Sequence, residues 1–325
     1  MRGADDRFLS SVLSVSRQVT DGHDLPHRAT RARTVYNSPY MGRFLACVVV
    51  FTSVWQVGCA SLAEIRDFAA LSKRAAEYFP FIMADMKASF IRQREMQNLD
   101  TGMDLKEATK KAEEDCAAHQ LCNSVRDFTK AGKVLESYMK TLGQLAADNL
   151  TSFDESLKAF SGELRTSAGI GEPQRKAVQS LSTFLANAAA NGYRQRQLAK
   201  TLTSTDEDIG ILTQGLADIV DIYKKQLDAE EIAMRGYFEG TIAEKGAQEP
   251  LARILVYERY SRSRDELKNK QSAADCYKEF LATVRKAHGE LAQKSAKLDA
   301  TQARQLAVSY MVSIDGQIQV VRKAF

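Results

Sequence analysis

Residues that end helices are scarce in this sequence. Five prolines and eighteen glycines are spread over 325 residues, and long stretches hold neither. A loop-rich β fold needs far more of this punctuation. No alternating strand pattern competes with the helical ones. Folds built on repeated strand–helix alternation are therefore excluded, among them a Rossmann fold, a TIM barrel and a two-lobed periplasmic binding protein. Tryptophan occurs once, as Trp55 in an apolar N-terminal segment, so the chain beyond it has none for stacking on a sugar. Histidine is nearly as rare, with only His119 and His288 beyond residue 60, and His288, in Arg285-Lys286-Ala287-His288-Gly289, reads as a cation at a polar helix end. No Ser-His-Asp set, HExxH, Gly-rich phosphate loop or GxSxG elbow is present. The sequence nominates no catalytic residue, no cofactor and no resident metal. An enzyme here would have to use Asp, Glu, Tyr or Lys groups that nothing singles out.

A strong excess of charge is also missing. The formal charge is +4, but seven of the 45 basic residues and four of the 41 acidic ones precede Cys59. From Cys59 onward the chain is within about one charge of neutral, which argues against nucleic acid as a partner.

What is present begins at Met41. Residues 1–40 contain six arginines, no lysine and no lasting periodicity. They read as an extension outside the folded protein, with translation expected to start at Met41; a long n-region or a genuine pro-segment is the alternative. Met41-Gly42-Arg43 is a short positive segment, Phe44 to Val57 is apolar, and Gly58-Cys59-Ala60-Ser61 is rich in small residues. That is the layout of a signal peptide over 41–58.

The close of this segment, Val57-Gly58-Cys59-Ala60, resembles the lipobox of bacterial lipoproteins. The resemblance implies that Cys59 receives a diacylglyceryl group and becomes the acylated first residue of a mature chain, 59–325. Gln56 stands where a Leu-like residue is usual. Ala60 rather than Asp after the cysteine implies sorting to the periplasmic face of an outer membrane. Two alternatives stay open. Cleavage after Ala60 would release a secreted or periplasmic protein. Retention of the uncharged stretch between Arg43 and Glu64 would leave a membrane anchor, although Thr52, Ser53, Gln56, Gly58 and Ser61 dilute it.

From Ser61 on, apolar residues recur every three or four positions. One stripe runs from Phe128 through Leu142 to Leu164, and a second from Ile209 through Tyr223 to Ile242. A third runs from Leu251 and Ile254/Leu255 through Tyr277 and Phe280/Leu281 to Leu291, and a last from Leu306 to Val321. Each is the buried face of an amphipathic helix. Glu172-Pro173 and Glu249-Pro250 read as helix starts. Capping boxes are expected at Asp104-x-x-Glu107, Ser124-x-x-Asp127, Ser204-x-x-Glu207 and Asp299-x-x-Gln302. Pro80 should break the first mature helix. The expected fold is all-α: an elongated up-down bundle of five to seven long antiparallel amphipathic helices with coiled-coil-like packing.

Three cysteines remain beyond Cys59. Cys116 and Cys122 are six residues apart, with room for a turn between them and a new cap following at Ser124, so a local disulfide at a helix corner is favoured in an oxidising envelope. A bridge from either to Cys276 is the alternative. Cys116-x2-His119-x2-Cys122 could supply soft-metal ligands only with help from Asp115 or Glu113. The run Arg259, Arg262, Arg264, Lys268 and Lys270 reads as a solvated face interleaved with Asp265 and Glu266. Tyr257, Tyr260 and Tyr277 read as core or half-core. The expected role is that of a lipid-anchored scaffold or interaction protein with an envelope protein partner. The alternative is a periplasmic module holding a hydrophobic ligand between helices, near the Pro80 break. Homo-oligomerisation stays open.

Overall fold

The computed structural model describes residues 62–148, 170–190, 193, 197–245, 249–294 and 300–325, all within one compact unit. The expected signal segment 41–58 and Cys59 lie outside the described residues, as do Asp299 and the stretch 149–169. Every long described segment is helical and no strand occurs among the described residues. The chain is an all-α bundle.

Helix α1 covers 62–76, followed by a turn at 77–78. Helix α2 (Phe79–Asp100) has its proline in the first turn, where the missing N–H costs nothing. It ends at Thr101-Gly102, with Gly102 at φ 89°, a left-handed cap that glycine takes without strain. Helix α3 (Leu105–Ala118) starts from Asp104, whose carboxylate accepts from Glu107 N–H at 2.9 Å. Helix α4 (Gln120–Ala146) starts from His119, whose extended backbone lets Nδ1 accept from Leu121 N–H at 3.2 Å. Helices α5 (Glu172–Ala190), α6 (Leu198–Lys245), α7 (Pro250–Lys294) and α8 (Ala300–Ala324) follow among the described residues. At the start of α5, Gln174 Oε1 accepts from Gly171 N–H at 3.1 Å, the returning half of a capping box.

Three expectations need correction. The stripe from Phe128 to Leu164 does not form one helix, because α4 ends at Ala146 and Asp148 takes φ 52°. Asp tolerates this left-handed region better than most residues, so Asp148 ends a helix that hydrophobic periodicity alone would continue. Ser124 and Ser204 are not caps. Ser124 lies inside α4 and is buried, while Ser204 lies inside α6 and donates to Thr201 O at 3.2 Å. In both cases an earlier start had already opened the helix, leaving the local pattern nothing to cap.

Helix α6, 48 residues long, is the spine, packing against α2, α4, α5 and α7. Side-chain contacts give the bundle a sequence of levels along it. Ala69 of α1 meets Gly143 of α4. Next, Tyr138 of α4 meets Thr205 of α6 and His288 of α7. The Phe79 ring then lies directly against the Cα side of Gly132 and 5.7 Å from the Tyr277 ring. Asp85 meets Tyr223 and Lys270, and Arg92 meets Glu230. Asp100 meets Gly240, and Phe238 meets Tyr260. So α2 runs parallel to α6, while α4, α5 and α7 run against it. The α6 span from Thr205 to Gly240 is about 50 Å at 1.5 Å per residue.

A continuous apolar core fills the levels from Ala69 to Met234, and Tyr138, Tyr223, Tyr277, Phe68, Phe79, Phe128 and Phe280 are its largest fully buried members. A second, small cluster of Phe90, Cys116 and Cys122 seals the α3–α4 corner.

Candidate functional site

Cys116 and Cys122 are joined by a disulfide that closes the α3–α4 corner, with Cα atoms 5.6 Å apart. Between them the His119 ring lies 4.5 Å from the Phe90 ring, and its Nδ1 lone pair is already occupied by the Leu121 N–H. These groups therefore clamp α3 and α4 onto α2. Cys276 is a free thiol on α7, half-buried, and burial pushes its pKa up, which lowers its reactivity. Among the described residues, no three His, Cys, Asp or Glu side chains gather as metal ligands.

Two polar clusters were hidden in the sequence. The first joins α2, α6 and α7. Arg92 Nη2 donates to Glu230 Oε2 at 3.0 Å and to Asp85 Oδ1 at 3.3 Å. Lys270 Nζ and Tyr223 O–H each donate to Asp85 at 2.7 Å. Burial alone would raise the Asp85 carboxyl, but Arg92, Lys270 and Tyr223 overcome it and hold the pKa below the ordinary value. Two cations face two carboxylates, so the cluster is charge-balanced. It locks the register of three helices and leaves no group free for chemistry.

The second cluster centres on His288. The residue was expected at a polar helix end, yet it is 0% exposed, a correction with a clear cause. It falls four residues after Val284 and three before Leu291, on the buried stripe of α7. Its Nδ1 lies 2.9 Å from Asp206 Oδ1, and its Nε2 lies 2.7 Å from the Tyr138 hydroxyl, which is 2.6 Å from Thr205 Oγ1. Nδ1 faces a carboxylate and so carries a proton. The hydrogen bond from His288 lowers the Asp206 pKa against the opposing effect of burial.

An Asp–His–hydroxyl chain has the connectivity of a nucleophile relay. Its orientation is the reverse of a working one. Asp206 is the member that lines an open cleft, while the Tyr138 hydroxyl lies deep in the core, where burial raises its pKa far above the ordinary phenol. No substrate in the cleft reaches that oxygen. The chain satisfies buried polar atoms at the point where α4, α6 and α7 meet.

The cleft itself has a volume of about 900 Å³ between α5, α6 and α7. Asp206 and Glu207 stand on one wall, and Lys278, Arg285 and Lys286 on the other. A smaller hollow of about 260 Å³ lies beside the disulfide. Neither borders Pro80, where the Phe79 ring packs into the core.

No family model, curated protein or solved structure matches this chain. Any functional assignment therefore rests on its own geometry.

The largest departure from expectation lies at the start of α7. Leu251, Ile254 and Leu255 continue the helical stripe and were expected in the core. They are 69%, 63% and 57% exposed, and Tyr257 is 62% exposed. The reason is positional. These residues lie past the last level at which α2 covers the α6–α7 pair, so the stripe continues after its partners have ended. Tyr260 is half-buried and Tyr277 buried, as expected. Among the described residues, no helix is long and apolar enough to cross a membrane.

Proposed function

We propose that the protein is a lipid-anchored envelope protein that acts by docking a partner rather than by catalysis. Cys59 would carry the anchor, three residues before the described part of α1 begins. Ala60 directs such a protein to the outer membrane, by the resemblance of 57–60 to a lipobox. The carrying observation is the exposed apolar stripe Leu251–Tyr257, which sits at the opposite end of the α6 levels from α1. An anchored helical body would then hold this face away from its own bilayer. Isolated surface leucines are ordinary, but four large apolar residues on one exposed helical face mark an interaction site.

Metabolic labelling with a fatty acid and intact-mass analysis of the protein expressed in a bacterium test the anchor. The expected result is a lipidated chain starting at Cys59, lost in Cys59→Ala. An unlipidated chain starting at Ser61 would make the protein soluble in the periplasm or medium and remove the tether.

The cleft between α5, α6 and α7 favours a second reading as a periplasmic binding module. Its charged walls suit a polar ligand better than the hydrophobic one expected from sequence. A copurifying ligand in native mass spectra, displaced in Lys286→Glu, would support that reading.

A further inference from the structure

We infer that the exposed face at the start of α7 docks an amphipathic helix with acidic flanks, contributed by a partner protein. At 100° per residue, Tyr257, Ile254, Leu251 and Leu255 form an apolar arc of about 160° over the first two turns, which ends where Glu258, paired with Arg262, enters the same arc. Arg253 borders this arc on one side and Arg259 on the other. Neither forms an ion pair with a described residue, whereas Arg262 is held by Glu258 at 2.8 Å and Arg264 lies over the Tyr260 ring at 5.9 Å. The remaining arc of the same turns carries Ala252, Val256 and Tyr260, and the Tyr260 ring lies 5.6 Å from Phe238 of α6. The helix therefore has its back to the bundle and its apolar stripe outward, bracketed by two unpaired guanidinium groups.

Charge decides the occupant. A second copy would set Arg253 and Arg259 against the same arginines, and like charges across an interface oppose association. An anionic bilayer is a poorer match than a protein. Pro250 to Glu266 holds four arginines and no lysine, with Glu258, Asp265 and Glu266 among them, so the segment lacks the cationic excess that lipid surfaces select. Arginine with tyrosine and branched apolar residues is the composition of protein interfaces, where the planar fork pairs with carboxylates. Apolar anchors at spacings of three and four residues take a second helix, ridge into groove.

This inference rests on the docking reading but not on the lipid anchor, so its test leaves Cys59 untouched. The full chain is titrated against a labelled synthetic helix carrying a leucine stripe flanked by glutamates, read by fluorescence anisotropy. The same helix with lysine flanks, and vesicles of equal phosphatidylcholine and phosphatidylglycerol, are the comparisons. The acidic helix is expected to bind about tenfold or more tightly than the lysine one, a preference reversed in Arg253→Glu/Arg259→Glu. Leu251→Ser/Ile254→Ser should weaken binding of the acidic helix while circular dichroism stays unchanged. Equal binding of the two helices, or a preference that survives charge reversal, overturns the inference. Vesicle binding without helix preference overturns it too, and assigns the face to anionic lipid. Lipidation failing at Cys59 while the acidic helix still binds would remove the anchor and keep the docking face.

Discussion

Helix α7 carries one hydrophobic pattern and has two fates. From Leu267 to Leu291 its apolar residues lie in the core against α6 and α8, with Tyr138 of α4 reaching His288 among them. From Leu251 to Tyr257, residues of the same kind at the same spacing face solvent. Periodicity sets which residues share a face. It does not supply a partner for that face, and burial depends on how far neighbouring helices extend. The core half of α7 is thus explained by folding, and the exposed half needs another explanation, which docking provides.

Substitutions in the core half should show the largest effects. Phe280→Ala should cost about 3–5 kcal/mol, measured by chemical denaturation, because the void left beside Tyr277 closes only partly. A loss below about 1 kcal/mol would mean that this level is not close-packed. The ion cluster of α2, α6 and α7 comes next. Glu230→Ala leaves Arg92 half-buried with only Asp85 for a partner, and a loss of about 2–4 kcal/mol is expected. The disulfide closes a short loop, so reduction, or Cys122→Ser, should cost about 2 kcal/mol, seen as a lower Tm. Cys276→Ser should leave the response to reductant unchanged.

Asp85 makes the same comparison through pH. Its carboxyl is held below its ordinary value in the folded protein, so the unfolded chain takes up a proton first as pH falls. Its contribution is complete above the unfolded pKa, about 4, and is lost as pH drops through the lower folded value. Asp85→Asn should therefore cost about 1–2 kcal/mol at neutral pH, with the gap narrowing on acidification below about pH 4. A gap that stays constant between neutral and acid pH would contradict the ion-cluster account.

The sequence displays the features of this fold that are local. Asp104, Pro80, Pro173 and Pro250 sit at helix starts, because capping and proline geometry act over a single turn. The stripes from Ile209 and Leu267 mark core faces for the same reason. What lay out of reach is set by distance along the chain. Arg92 and Glu230 are 138 positions apart, and Tyr138 and His288 are 150 apart, with no local pattern to announce either meeting. His288 did carry a signal, its place on the apolar stripe, which a rule about charges near helix ends obscured. The exposure of Leu251, Ile254 and Leu255 had none, since it depends on where α2 stops.

The smallest effect on stability belongs to that exposed face, and it tests the central claim most directly. Denaturation of Ile254→Ser/Leu255→Ser is to be compared with that of Leu281→Ala, a change of similar kind on the buried half of the same helix. The tip variant is expected to stay within about 0.5 kcal/mol of the parent protein, and Leu281→Ala to lose about 2–5 kcal/mol. A loss of about 2 kcal/mol or more at the tip would mean that the face is already covered within the protein, contradicting its assignment to a partner.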